Sequence, residues 1–132
     1  MNTKYFINRI AGNVFKTQTT PALPSKYYIG LSSTAPSVSG TGVTEPSAAN
    51  GYARVELASL SAPVDGLVSN AGIIVFADST GDWGTVTHYV VYDAKTGGNL
   101  LFFGELTSPR TIESQTTISF KSGELNIQVS GE

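Results

Sequence analysis

The sequence contains no cysteine, which excludes disulfide cross-links, zinc–thiolate centres, iron–sulfur clusters and thiol nucleophiles. Charge is scarce as well. Only 14% of residues are charged, eight basic against ten acidic, for a formal net charge of −2. Such a balance gives no means of holding nucleic acid by neutralising phosphates. No run of eighteen apolar residues occurs, so no segment reads as a membrane-spanning helix and no membrane insertion is expected. Lys4 and Arg9 interrupt the apolar residues of the first fifteen, so that stretch does not read as a secretory signal, and cytoplasmic synthesis is expected. Histidine and tryptophan occur once each, as His88 and Trp83. Against these shortages, 40% of the 132 residues are hydrophobic. That is too apolar for a disordered chain and enough for one folded domain without a staple.

Phe6, Ile10 and Val14 fall at i, i+4 and i+8, with Ile7 and Phe15 beside them. This apolar stripe predicts a short helix over residues 3–15, capped by the hydroxyl of Thr3. Thr17–Ser25 carries Pro21 and Pro24 and reads as an extended linker. Residues 1–25 are thus expected to form a helix and arm, and residues 26–132 a β-sandwich. Strand patterns follow at Tyr27–Ser32, Tyr52–Leu57, Leu67–Ser69, Gly72–Phe76, Val86–Tyr92, Leu100–Leu106, Ile112–Phe120 and Leu125–Val129. Strict alternation over the fifth places Val86, His88, Val90 and Tyr92 on one face, and Thr87, Tyr89 and Val91 on the other. Asp93–Asn99 is the turn of a hairpin, with Gly97 and Gly98 free to take positive φ. The expected fold is therefore mainly β: about eight antiparallel strands in a sandwich, with one short N-terminal helix. Ser33–Gly51 is a nineteen-residue loop rich in Ser, Thr, Gly and Pro. A loop of that length signals function, contact with something else, or a plain surface excursion.

Little in the chain suggests catalysis. His88 lacks the cysteines or further histidines that a zinc site needs, and it reads as a half-buried strand residue. No G-x-S-x-G elbow supplies a nucleophile. Asp78-Ser-Thr-Gly-Asp82 lacks the alternating ligand spacing of a calcium loop and reads as a turn. No metal, cofactor or catalytic residue is expected. Trp83 has two readings: a platform for stacking a sugar, with Tyr52 and Tyr28 as companions, or an apolar plug at the end of the sandwich.

Several blocks occur in a telling order: Tyr28-Ile-Gly-Leu-Ser-Ser-Thr-Ala-Pro36, Thr44-Glu-Pro46, Asn50-Gly-Tyr-Ala-Arg54, Gly81-Asp-Trp-Gly-Thr-Val-Thr-His88 and Tyr92-Asp-Ala-Lys-Thr-Gly-Gly-Asn-Leu-Leu-Phe102. Over residues 26–129 this order resembles a group of small tailed-bacteriophage virion proteins, often labelled tail fibre proteins. The resemblance implies a non-enzymatic virion component on tail, baseplate or fibre, or alternatively a capsid decoration protein or a glycan-binding module that recognises the host surface. Its expected partners are other virion proteins and copies of itself, as a symmetric oligomer with a trimer favoured. Phe6, Ile7, Ile10 and Val14 are the expected docking residues, because an amphipathic stripe must be buried against some surface, its own or a partner's.

Overall fold

The computed structural model describes residues 1–15 and 23–128. Most of the arm expected at Thr17–Ser25, and Val129 at the end of the last expected strand, lie outside them. The helix α1 runs over Lys4–Phe15. Thr3 caps it: its hydroxyl oxygen accepts from Phe6 N at 3.3 Å and donates to Leu100 O at 2.7 Å. One side chain thus starts the helix and ties it to the sheet.

Eight strands follow in the described residues: β1 (Tyr28–Ser32), β2 (Val55–Glu56), β3 (Leu67–Ser69), β4 (Ile74–Val75), β5 (Gly84–Tyr92), β6 (Leu100–Ile112), β7 (Ser119–Phe120) and β8 (Asn126–Gln128). One sheet has the order β2-β1-β5-β6, and two ribbons, β3-β8 and β4-β7, form the rest. All pairings are antiparallel. The main core lies between the sheet and the ribbons. Ile29, Leu31, Tyr89, Val91 and Phe102 from the sheet meet Ile74, Phe120 and Leu125.

The outer face of the sheet is buried too. Val90, Tyr92, Leu100 and Phe103 form a second cluster, roofed by Val38 and Val43 from the long loop. This explains the unbroken apolar runs Val90-Val-Tyr92 and Leu100-Leu-Phe-Phe103, since a strand covered on both faces has no solvent side to keep polar. The Ser33–Gly51 loop is therefore a lid packed on its own sheet. Ser33 N donates to Thr44 O at 3.0 Å, and a 3-10 turn at Ala48–Asn50 closes on Gly51 with φ 85°.

Two expectations need correction. Val86 joins Tyr89 and Val91 in the main core rather than His88 and Val90. A register shift between Val86 and His88 in the β5–β6 pairing inverts the parity there. Ile112–Phe120 is also not one strand. Ile112 ends β6, the chain turns at Gln115 with φ 63°, and only Ser119–Phe120 pairs again. Buried Ser79 holds that turn, accepting from Thr116 N at 3.0 Å and donating to Glu113 O.

Candidate functional site

The helix is fastened at one end. Asn2 bridges Phe102, Thr3 N donates to Leu101 O at 2.9 Å, and Arg9 pairs with Asp93 at 3.2 Å. Of the expected docking residues, Phe6 is buried against its own sandwich. It lines an apolar cavity of about 210 Å³ with Tyr27, Leu57, Val91 and Leu101. Ile7 and Ile10 are half-buried. Val14 is 62% exposed, and its neighbour Phe15, not among the expected docking residues, is 73% exposed. The stripe therefore divides: its first turn serves the fold and its last turn faces outward.

On the sheet's outer face, Arg54 is the centre of a polar cluster. It is buried, although alternation over Tyr52–Leu57 puts it with Glu56 on the face opposite Val55 and Leu57. Its Nε donates to Glu45 Oε2 at 3.0 Å and Nη2 to Oε1 at 2.7 Å, a bidentate pair. Nη1 donates to the carbonyls of Ala94 and Gly97 at 2.9 and 2.7 Å. The guanidinium lies over the Tyr92 ring at 3.6 Å. Burial works against the charge, but the Glu45 hydrogen bond and carboxylate outweigh it and hold the Arg54 pKa above its ordinary value. Tyr52 completes the cluster, donating to Glu45 Oε2 at 2.5 Å and accepting from Leu31 N at 3.0 Å. Burial first, then the hydrogen bond to Glu45, pushes its phenol pKa far up. A Cβ at Gly30 would collide with the Tyr52 hydroxyl, so glycine there is a packing requirement. One arginine thus joins the loop, the 51–54 segment and the β5–β6 turn.

The aromatic residues named for glycan contact have separate places. Trp83 is buried, packs edge-to-face on Tyr52 at 5.4 Å and donates from Nε1 to Asn50 O at 2.7 Å. Tyr52 is also in the core, and it lines a cleft of about 380 Å³ with Glu45, Arg54 and Lys95. Tyr28 is half-buried on β1. His88 shares a hydrogen bond with Thr87 Oγ1 at 2.8 Å. It sits in register between Ser32 and Glu105, but the Ser32 hydroxyl donates to Thr34 O at 2.7 Å and accepts from Thr44 N at 3.0 Å. Asp82 Oδ1 accepts from Ser114 N at 3.0 Å, and Asp78 accepts from Thr117 Oγ1. Among the described residues no group of three or more His, Asp or Glu is placed to hold a metal ion. No described helix is long and apolar enough to cross a membrane.

Gly30, Glu45, Tyr52, Arg54, Tyr92 and Gly97 come from four of the sequence blocks and meet in this one cluster. A profile of the family described as Podophage GP4 fiber I protein gp80 matches residues 2–128. The chain belongs to this family. The gp80 match extends from the residues before α1 to the last residue of β8, covering every described element. The gp80 family is one of podophage fibre proteins, so the chain is a structural fibre component of a phage virion. No curated protein matches the chain.

Proposed function

We propose that the chain is a non-enzymatic docking module of the fibre, joining neighbouring virion proteins and copies of itself after synthesis in the host cytoplasm. The observation that carries this reading is the divided helix. Its first turn is locked to β6 through Thr3, while Val14 and Phe15 present apolar surface at 62% and 73% exposure. Burying two such side chains contributes roughly 3–5 kcal/mol, enough to matter where several copies meet. A trimer is the assembly this reading favours among copies.

The test is the pair Val14→Asp and Phe15→Asp. Both positions are solvent-facing, so the isolated variants keep the parent's thermal midpoint and circular dichroism. Incorporation into particles, read by immunoblot of purified virions, is lost, and light scattering of the parent chain reports a three-copy species that the variants do not form. Normal incorporation of both variants refutes the docking role of the helix end.

A further inference from the structure

Of the asparagines in the chain, Asn50 alone is followed by glycine. Asparagine is a thermolabile side chain, and a following glycine has no Cβ to shield its amide nitrogen. The reaction such a pair undergoes needs water and a base. Gly51 N gives up its proton and attacks Asn50 Cγ, the Cγ–Nδ2 bond breaks, and ammonia leaves as a five-membered imide closes. Water then opens the imide at one carbonyl or the other, leaving aspartate or its β-linked isomer at position 50.

The fold holds every group of that reaction away from it. The attacking nitrogen, Gly51 N, donates to Ala48 O at 3.1 Å, and Asn50 N donates to Ser47 O at 3.0 Å, closing the 3-10 turn. Ring closure needs Gly51 N eclipsed with the Asn50 Cβ, at ψ of roughly −120° for an L residue, whereas such a turn holds ψ at about −30 to 0°. The leaving nitrogen, Asn50 Nδ2, donates to Asp82 O at 3.1 Å. The carboxamide lies against Gly81, where a Cβ would meet its oxygen at 2.5 Å and its Cγ at 2.7 Å. The Asn50 carbonyl, which must swing for the ring to form, accepts from Thr80 N at 2.9 Å and from Trp83 Nε1 at 2.7 Å. The near-attack geometry that cyclisation requires is therefore reached only after this corner opens.

We propose that Asn50 is a gated deamidation site: closed while the 47–51 turn is docked on Trp83, and converted whenever that turn lifts away. The conversion runs one way. Aspartate at position 50 has no donor for the Asp82 carbonyl and sets a carboxylate against it instead. The β-linked isomer adds a carbon to the backbone and displaces the carbonyl that receives Thr80 N and Trp83 Nε1. Each opening that ends in conversion leaves a corner that no longer closes as before, so damage at this place accumulates over the life of the molecule. Val14 and Phe15 take no part, so the outcome is independent of the docking role of the helix end.

Peptide mass mapping of the purified full-length chain tests it. Trypsin cuts after Lys26 and Arg54, and the peptide 27–54 holds Asn50 as its single asparagine and no glutamine, so a mass gain from amide to acid in that peptide reports this site alone. The chain is aged at mildly alkaline pH, folded or unfolded in guanidinium chloride. The unfolded chain converts at Asn50 ahead of its other asparagines, and the folded chain converts there at least about tenfold more slowly. Guanidinium concentrations below the unfolding transition raise the rate in step with the exchange of the Thr80 amide, since both require the same opening. Equal rates in the folded and unfolded chain, or a folded rate that ignores the opening of the corner, overturns the gate. Asn50→Asp, which installs one product directly, lowers the thermal midpoint by about 3 °C or more and speeds Thr80 exchange. An Asn50→Asp chain with the parent's midpoint and exchange overturns the one-way character of the site.

Discussion

Replacing Arg54 with alanine removes more than a charge. Two hydrogen bonds to Glu45 are lost, as are two to the carbonyls of Ala94 and Gly97 and the contact with the Tyr92 ring. What remains is the Glu45 carboxylate, its side chain only 21% exposed, beside the Tyr52 hydroxyl with no cation to balance it. Removing one partner of a buried pair costs about 3–5 kcal/mol. Glu45 keeps some contact with water, which places this case near the lower end, at about 3 kcal/mol. In a chain of this size each kcal/mol moves the melting temperature by about 3–5 °C, so a fall of about 10–15 °C is expected. Thermal unfolding followed by Trp83 fluorescence and by circular dichroism measures it. Trp83 suits the purpose because it packs on Tyr52, the cluster's own aromatic. Arg54→Lys recovers less than half of the loss, since an ammonium cannot reproduce the two-pronged geometry. Glu45→Leu with Arg54→Met recovers most of it, because apolar replacement of both partners leaves no charge stranded. A fall of less than about 3 °C for Arg54→Ala, or full stability in Arg54→Lys, refutes the idea that this arginine holds the three segments together.

Two further outcomes follow from buried polar groups. Asn70, 2% exposed, donates to Gly72 O and Lys121 O at 2.9 and 2.8 Å and accepts from Leu125 N at 3.0 Å; Asn70→Ala strands those backbone groups and costs about 2–4 kcal/mol in denaturant midpoints, and a loss under about 0.5 kcal/mol would contradict that role. Burial pushes Tyr89 up to about 12, with its hydroxyl donating to Asn126 O at 2.5 Å, and pushes Tyr52 higher still. The folded state therefore keeps protons that the unfolded chain loses near pH 10. Their stabilisation is complete below about pH 10 and disappears as pH rises towards about 12. Cooperative unfolding with a matching rise in tyrosinate absorbance is expected in that window, and ionisation of all six tyrosines near pH 10 with the fold intact would be the contrary result.

Period-two alternation made most strands legible, and the glycine pair at 97–98 marked the β5–β6 turn because both residues take positive φ. Alternation misled at Val86, where the register shift inverts the faces. It misled again after Ile112, where one serine, Ser79, holds a turn that apolar spacing had hidden. The Arg54 cluster was less visible for a different reason. Glu45, Tyr52 and Arg54 lie close in sequence, but their partners at Tyr92, Ala94 and Gly97 arrive about forty residues later. No local pattern distinguishes an arginine on a polar face from one roofed by a distant loop. The helix stripe was legible as amphipathic, yet a stripe cannot say that Phe6 is covered by its own chain while Val14 is not.

The pairing of distant segments has a consequence for how the molecule is made. β1 finds its partner β5 some sixty residues downstream, β3 waits for β8, and Asn2 donates to Gln128 O across 126 positions. On a ribosome that releases the chain from its beginning, β3 emerges more than fifty residues before the strand that will flank it. The nascent polypeptide therefore holds apolar segments without neighbours for much of its translation, and closure comes late and comparatively slowly. Slowing translation over residues 70–125 should lengthen that vulnerable interval and lower the soluble yield.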